Sequence, residues 1–230
     1  MLWMEPQSWA EYLLVAGGLK PMACQWGIIE FPDNDTHPAG ENPFISKFNS
    51  IGEFEEHMTE EGVIFHVVEE PIAGSDYEQR SYLISREREI IDQFLSRFDG
   101  PFSPERLGLT GRLLGYPEDA IKANCDPNIS NGDRYLLNGF SELEASASIM
   151  RLRGLNPPKW INYLFHKPAN GNLLGDFSES SKRQAKEYMA FIEETHQDFH
   201  EWYVESKKIG DRHMKDIKCI VDWWDASQKE

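Results

Sequence analysis

The sequence predicts an α+β fold: a small antiparallel sheet with helices in residues 1–100, and a mainly helical half in residues 101–230, the two forming one compact unit. Three observations carry this prediction. Residues 63–70 are dense in β-branched and aromatic side chains, and the turn-like stretch 71–76 separates them from a second strand-like run at about 78–85, which together read as an antiparallel hairpin. Amphipathic runs with recognisable start and stop signals lie on both sides of that hairpin. Beyond residue 100 only helix-like patterns remain, because the Asn-Gly pairs at 131–132, 138–139 and 170–171 lack the alternating flanks of hairpin turns.

Taken in order, Ser8-Trp9-Ala10-Glu11 has the form of a capping box, and the helix it opens should stop at Gly17-Gly18, with Pro21 barring continuation. A short strand is expected over 27–31, then a loop over 32–43 rich in Pro, Asp, Asn and Gly. Residues 51–61 read as a short acidic helix closed by Gly62. Residues 87–98 carry Ile90, Ile91, Phe94 and Leu95 on one stripe, and Asp99-Gly100-Pro101 ends them. Ser103-Pro104-Glu105 joins an N-cap residue to proline at the first helical position, starting a helix to about Gly115. Pro117 opens another toward Asn124. Further helices are expected over 141–153, 158–166, 178–208 and 211–224.

Composition narrows the function. Acidic residues outnumber basic ones, 39 to 23, for a formal net charge of −16. Nucleic acids and anionic membranes draw much of their affinity from Lys and Arg, so neither is an expected partner. Residues 51–70 hold Glu53, Glu55, Glu56, Glu60, Glu61, Glu69 and Glu70 and no Lys or Arg, which reads as a solvated face or as a docking face for a basic protein partner. The N-terminal stretch has no basic region followed by an apolar core, and the three widely spaced cysteines suggest neither a disulfide framework nor a zinc knuckle. A cytoplasmic, reduced protein is expected. No P-loop or dinucleotide fingerprint is present, so no nucleotide cofactor is expected.

The segment 178–208 carries the most specific chemistry. Glu193, His196 and His200 are spaced three and four apart, which brings them onto one face of a helix. Turning about 100° per residue puts Tyr188, Phe191, Ile192, Phe199, Trp202 and Tyr203 on the buried stripe and the three polar groups on its flank. That border suits either a divalent metal ion held by Glu193, His196 and His200, or acid–base catalysis by His196 and His200. One helix does not complete a metal site, and His213, Asp211 or Asp216 are candidates for a further ligand.

Leu113-Leu114-Gly115-Tyr116-Pro117-Glu118-Asp119-Ala120-Ile121 joins two helices across a Gly-Tyr-Pro break, with Gly115 suited to the left-handed position after the first. Over about residues 113–125 the chain resembles an uncharacterised prokaryotic family of unknown function with a Leu-Gly-Tyr-Pro-Glu-Cys-Cys signature. Asp119 and Ala120 stand where that signature has its paired cysteines, so the resemblance implies no thiol chemistry. Elsewhere, Cys24-Gln25-Trp26 is similar to the cysteine-before-tryptophan arrangement of some thiol hydrolases, with His66 or His166 as the imidazole, although a buried structural cysteine and a core His66 are the simpler expectations. Arg80, Arg86 and Arg88 could hold an anion or pair with Glu78, Glu87 and Glu89. Two functions follow as expectations: an enzyme acting on a small polar substrate through Glu193, His196 and His200, or a non-enzymatic module docking a basic partner through residues 51–70.

Overall fold

The computed structural model of the protein describes residues 2–31, 42–69, 78–96, 103–125, 156–165 and 178–206, with isolated positions 150, 154 and 218. The chain is α+β and divides into two compact units, residues 1–101 with 113–115, and residues 102–112 with 116–230.

The first unit is built on a four-stranded antiparallel sheet of β1 (Leu2–Trp3), β2 (Met22–Glu30), β3 (Ile64–Glu69) and β4 (Glu78–Ser85), in the order β1-β2-β4-β3. The hairpin partners are thus β3 and β4, and β4 has the bounds the sequence predicts. In contrast, β2 begins five residues before the expected start at Gly27. It pairs with β4 from Met22 opposite Ser85 to Glu30 opposite Glu78, with a register irregularity between Gln25 and Ile28. An inserted residue resets the period-2 pattern, so a strand containing one does not show continuous alternation in its sequence.

Helices α1 (Pro6–Ala16) and α2 (Ile51–Glu60) supply the core of this unit. The expected capping box at Ser8 does not form. The helix starts earlier, with Glu5 at the N-cap and Pro6 in its first turn, and Ser8 lies buried inside it. The Glu11 carboxylate meets the ammonium of Lys20 at 2.8 Å, and Lys20, also buried, donates to the carbonyl of Leu114 at 3.1 Å. Rings from both helices, the segment before α2 and β4 interlock: Trp9 with Tyr12 (5.0 Å between centroids), Tyr12 with Phe54 (5.7 Å), Phe48, just before α2, with Phe54 (5.5 Å), and Phe54 with Tyr82 of β4 (6.4 Å). Such pairs add about 1 kcal/mol each beyond the area they bury. The acidic α2 has its own N-terminal lock, in which Ser50 Oγ accepts from the Glu53 amide and Glu53 accepts from the Asn49 amide and side chain. Those bonds hold the Glu53 carboxyl below the ordinary range. Helix α3 (Arg88–Ser96) follows β4 and buries Ile91 and Phe94 of its predicted stripe.

The described part of the second unit is helical: α4 (Pro104–Leu113, whose last residue belongs to the first unit), α5 (Glu118–Asn124), a 3-10 turn (Lys159–Tyr163), α6 (Glu179–Thr195) and α7 (Gln197–Ser206). Ser103 Oγ accepts from the Arg106 amide, as its N-cap position predicts. Gly115 has φ +75°, the left-handed conformation expected of it. Helices predicted over 141–153 and 211–224 lie outside the described residues apart from Met150 and Lys218, both helical. Gly108 and Gly111, one turn apart on α4, leave space that Ile121 of α5 fills, so that a Cβ on Gly111 would sit 2.7 Å from Ile121 Cγ1. We expect Gly111→Ala to destabilise the protein by about 1–3 kcal/mol despite the better helix propensity of alanine. Urea denaturation checks this, and adding Ile121→Ala should make the Gly111→Ala step itself nearly neutral.

Candidate acid–base site

A continuous helix over 178–208 would set Glu193, His196 and His200 on one flank. The start is as the sequence predicts, with Ser178 Oγ accepting from the Ser181 amide at 3.2 Å. The helix is not continuous, however. It breaks at His196, where φ is −140° and ψ is 53°, and α7 resumes at Gln197. The residues around the break favour it. Thr195 Oγ1 donates back to the Phe191 carbonyl at 2.7 Å, a bond that competes with the helical ladder, and Asp198 is an acidic residue in the first turn of the new helix.

The break changes what the three residues can do. His196 is half-buried at the junction, edge-on to the Phe191 ring. His200 is turned inward, 3% exposed, rather than left at the border of the buried stripe. Its ring lies nearly parallel to that of Tyr163, at an interplanar angle of 6°, and Nδ1 is 2.9 Å from Tyr163 Oη. Tyr163 is held in turn by the neighbouring rings of Phe165 and Tyr203, while Tyr203 Oη donates to the Asn162 carbonyl at 3.0 Å. His200 Nε2 is buried and has no hydrogen-bond partner among the described residues, and Glu193 Oε1 is 3.9 Å from it. Glu193 itself is open to solvent, its side chain 54% exposed. The structure therefore joins Glu193 and His200 and adds Tyr163, which sequence reasoning missed. No local pattern marks Tyr163, which sits in a 3-10 turn 37 residues from its partner.

Among the described residues no group of three or more His, Cys, Asp or Glu could hold a metal ion, so Glu193, His196 and His200 are not assembled as ligands. The break at His196 is the physical reason, since it removes the helical spacing on which that set depended. His213, Asp211 and Asp216 lie outside the described residues.

Electrostatics define the pair further. Burial pushes the His200 imidazole below the ordinary histidine range; Glu193 opposes the shift, Lys159 adds to it and Glu201 opposes it. Burial, reinforced by Glu193, pushes the Tyr163 phenol up, so it remains protonated. We assign His200 the neutral Nε2–H tautomer, because this points its N–H dipole toward the Glu193 carboxylate and leaves Nδ1 to accept from Tyr163 Oη. At 3.9 Å the Nε2–carboxylate contact is too long for a hydrogen bond.

The other candidates do not converge. Cys24 on β2 and His66 on β3 both stand opposite Leu83 of β4, so they share a face but lie two strands, about 10 Å, apart. Leu83 is buried between them, and His66 cannot take the Cys24 proton directly. His66 is half-buried on an edge strand rather than fully in the core, Cys24 is half-buried, and His166 lies outside the described residues. The arginines are dispersed: Arg80 pairs with Glu55 at 2.7 Å, Arg86 donates to the Ala16 carbonyl, and Arg88 pairs with Asp92 at 3.0 Å. In the 113–121 segment Arg112 pairs with Glu118 at 3.0 Å, while Asp119 accepts from Ser180 Oγ at 2.6 Å, a bond that holds its carboxyl low. Both arrangements secure helix ends. Of the acidic stretch, Glu53 is bonded to Asn49 and Glu55 to Arg80 and Tyr82 of β4, and Glu53, Glu56, Glu60 and Glu61 are exposed.

No family model, curated protein or solved structure matches this chain.

The buried imidazole has a consequence for stability. With its folded pKa depressed, the unfolded chain binds the proton first as pH falls, so the stability contributed by neutral His200 is fully present above the ordinary pKa of about 6.5. It is lost as pH drops from there toward the lower folded pKa, with a slope of up to about 1.4 kcal/mol per pH unit. Urea denaturation across this window should show a slope that His200→Gln reduces. Glu193→Gln, which removes the opposing charge, should extend the slope to lower pH.

Proposed function

We propose that the protein is an enzyme acting on a small polar substrate, with Glu193 as general base and His200 as the hydrogen-bond donor that positions the reacting oxygen. One observation carries this reading: a buried Nε2 with no hydrogen-bond partner among the described residues, beside an exposed carboxylate at 3.9 Å. Buried polar atoms are nearly always satisfied, and an exception of this kind marks a place where water or a ligand atom belongs. A substrate hydroxyl or a water placed there accepts from Nε2–H and gives its proton to Glu193, which leaves the oxygen nucleophilic. Tyr163 acts through His200, fixing the tautomer and ring plane, and is a positioning residue. His196 contributes by ending α6 so that Glu193 and His200 face one another across the junction.

The reading requires no metal. A cytoplasmic setting fits the widely spaced cysteines, and no described helix is long and apolar enough to cross a membrane.

The test is to incubate the protein with a pooled extract of polar metabolites and to follow consumption by mass spectrometry. The wild type and Glu187→Gln, which alters an exposed carboxylate on the same helix, should consume the same compound. Glu193→Gln and His200→Gln should lower the rate by about 100-fold or more. Equal consumption by all four proteins, or none by the wild type, would remove the acid–base assignment.

A further inference from the structure

The outer edge of β3 is unusual for a sheet edge. β4 occupies one side of the strand, and among the described residues no strand pairs with the other. In an antiparallel ladder every second residue turns its N–H and C=O away from its partner, so β3 presents a row of such groups over about 20 Å. Natural edges are usually blunted by lysine, proline or a bulge. The six residues of β3, Ile64-Phe65-His66-Val67-Val68-Glu69, contain neither lysine nor proline, and their pairing with β4 runs in unbroken register. Ile64, Phe65, His66, Val67 and Val68 are each only half-buried, so apolar surface accompanies the backbone groups.

Charge decides which occupant fits. Glu60 and Glu61, both exposed, lead into the strand, Glu69 ends it, and Glu70 follows in the chain. The arginines nearest in register and sequence are engaged, Arg80 with Glu55 and Arg86 with the Ala16 carbonyl. A second copy paired edge to edge would set acidic ends against acidic ends whether the strands ran parallel or antiparallel. An extended segment bearing lysine or arginine meets no such repulsion. We propose that the outer edge of β3 binds an extended basic peptide of a partner protein by strand addition, main-chain bonds supplying affinity and the flanking glutamates selecting charge. This inference is independent of the acid–base site.

The test uses a capped peptide of alternating lysine and valine, matched in length to β3, with the full-length protein. Binding should protect the amides of residues 64–69 from hydrogen exchange and should weaken by about tenfold between about 50 and 500 mM salt. N-methylation of alternate peptide amides should abolish it, which separates main-chain pairing from charge attraction alone. Glu60→Lys combined with Glu61→Lys alters two exposed positions and should weaken it by about tenfold. Three results would overturn the proposal: no added protection in β3, equal affinity for a glutamate–valine peptide, or β3 protection that rises with concentration of the protein alone. The last would assign the edge to a second copy.

Discussion

The antiparallel pairing of β2 with β4 is the constraint on which the first unit depends. These are the two inner strands, and β1 and β3 are each joined to the sheet through one of them. Their register fixes where Tyr82 stands, and Tyr82 is where the helical layer is attached. Its ring meets Phe54 of α2, and its hydroxyl donates to Glu55 at 2.7 Å, the carboxylate oxygen that also receives Arg80. Burial, reinforced by Glu55, pushes the Tyr82 phenol up and keeps it a donor. A single glutamate thus ties α2 to β4 through two donors. An acidic helix on an acidic chain is held in place because one of its glutamates, Glu55, is half-buried against specific partners on β4, while Glu53, Glu56 and Glu60 are exposed.

In the second unit the equivalent constraint is the break at His196. A straight helix would have left His200 at the rim of the apolar stripe, where water satisfies both ring nitrogens. Restarting the helix at Gln197 carries His200 inward with Phe199 and Tyr203, so that one nitrogen must find Tyr163 and the other is left facing Glu193. Burying an imidazole with one unsatisfied nitrogen costs stability, on the order of 1–3 kcal/mol. A structural histidine would avoid that cost by using both nitrogens or by being replaced with an apolar ring. Retention of the cost beside an exposed carboxylate is the reason to assign the pair a chemical role.

Much of the fold was legible because local signals agreed with the tertiary outcome. β4 follows from its composition, α2 from its termination at Gly62, and α4 from Ser103-Pro104. Failures occurred where local and non-local forces diverged. The first half of β2 is strand because β4 extends alongside it, which no window within β2 reveals. Ser8 and Glu11 have capping-box spacing, but Glu11 is claimed by Lys20, nine residues on. The helix wheel grouped Glu193 with His200, which the structure places 3.9 Å apart, but grouped His196 with them on one helical face, because Thr195 and His196 carry no glycine or proline to announce a break. Tyr163 was invisible for a different reason: its role exists only through a contact across 37 positions.

The most direct test of the central claim is nitrogen-15 NMR of the imidazole of His200 in the intact protein. The expected result is a neutral ring at pH 7 in the Nε2–H tautomer, with Nδ1 shifted by the hydrogen bond from Tyr163, titrating below the ordinary histidine range. A mobile ring exchanging between tautomers and titrating at the ordinary value, or an Nδ1–H tautomer, would contradict the assignment and leave Glu193 and His200 as neighbours without shared chemistry.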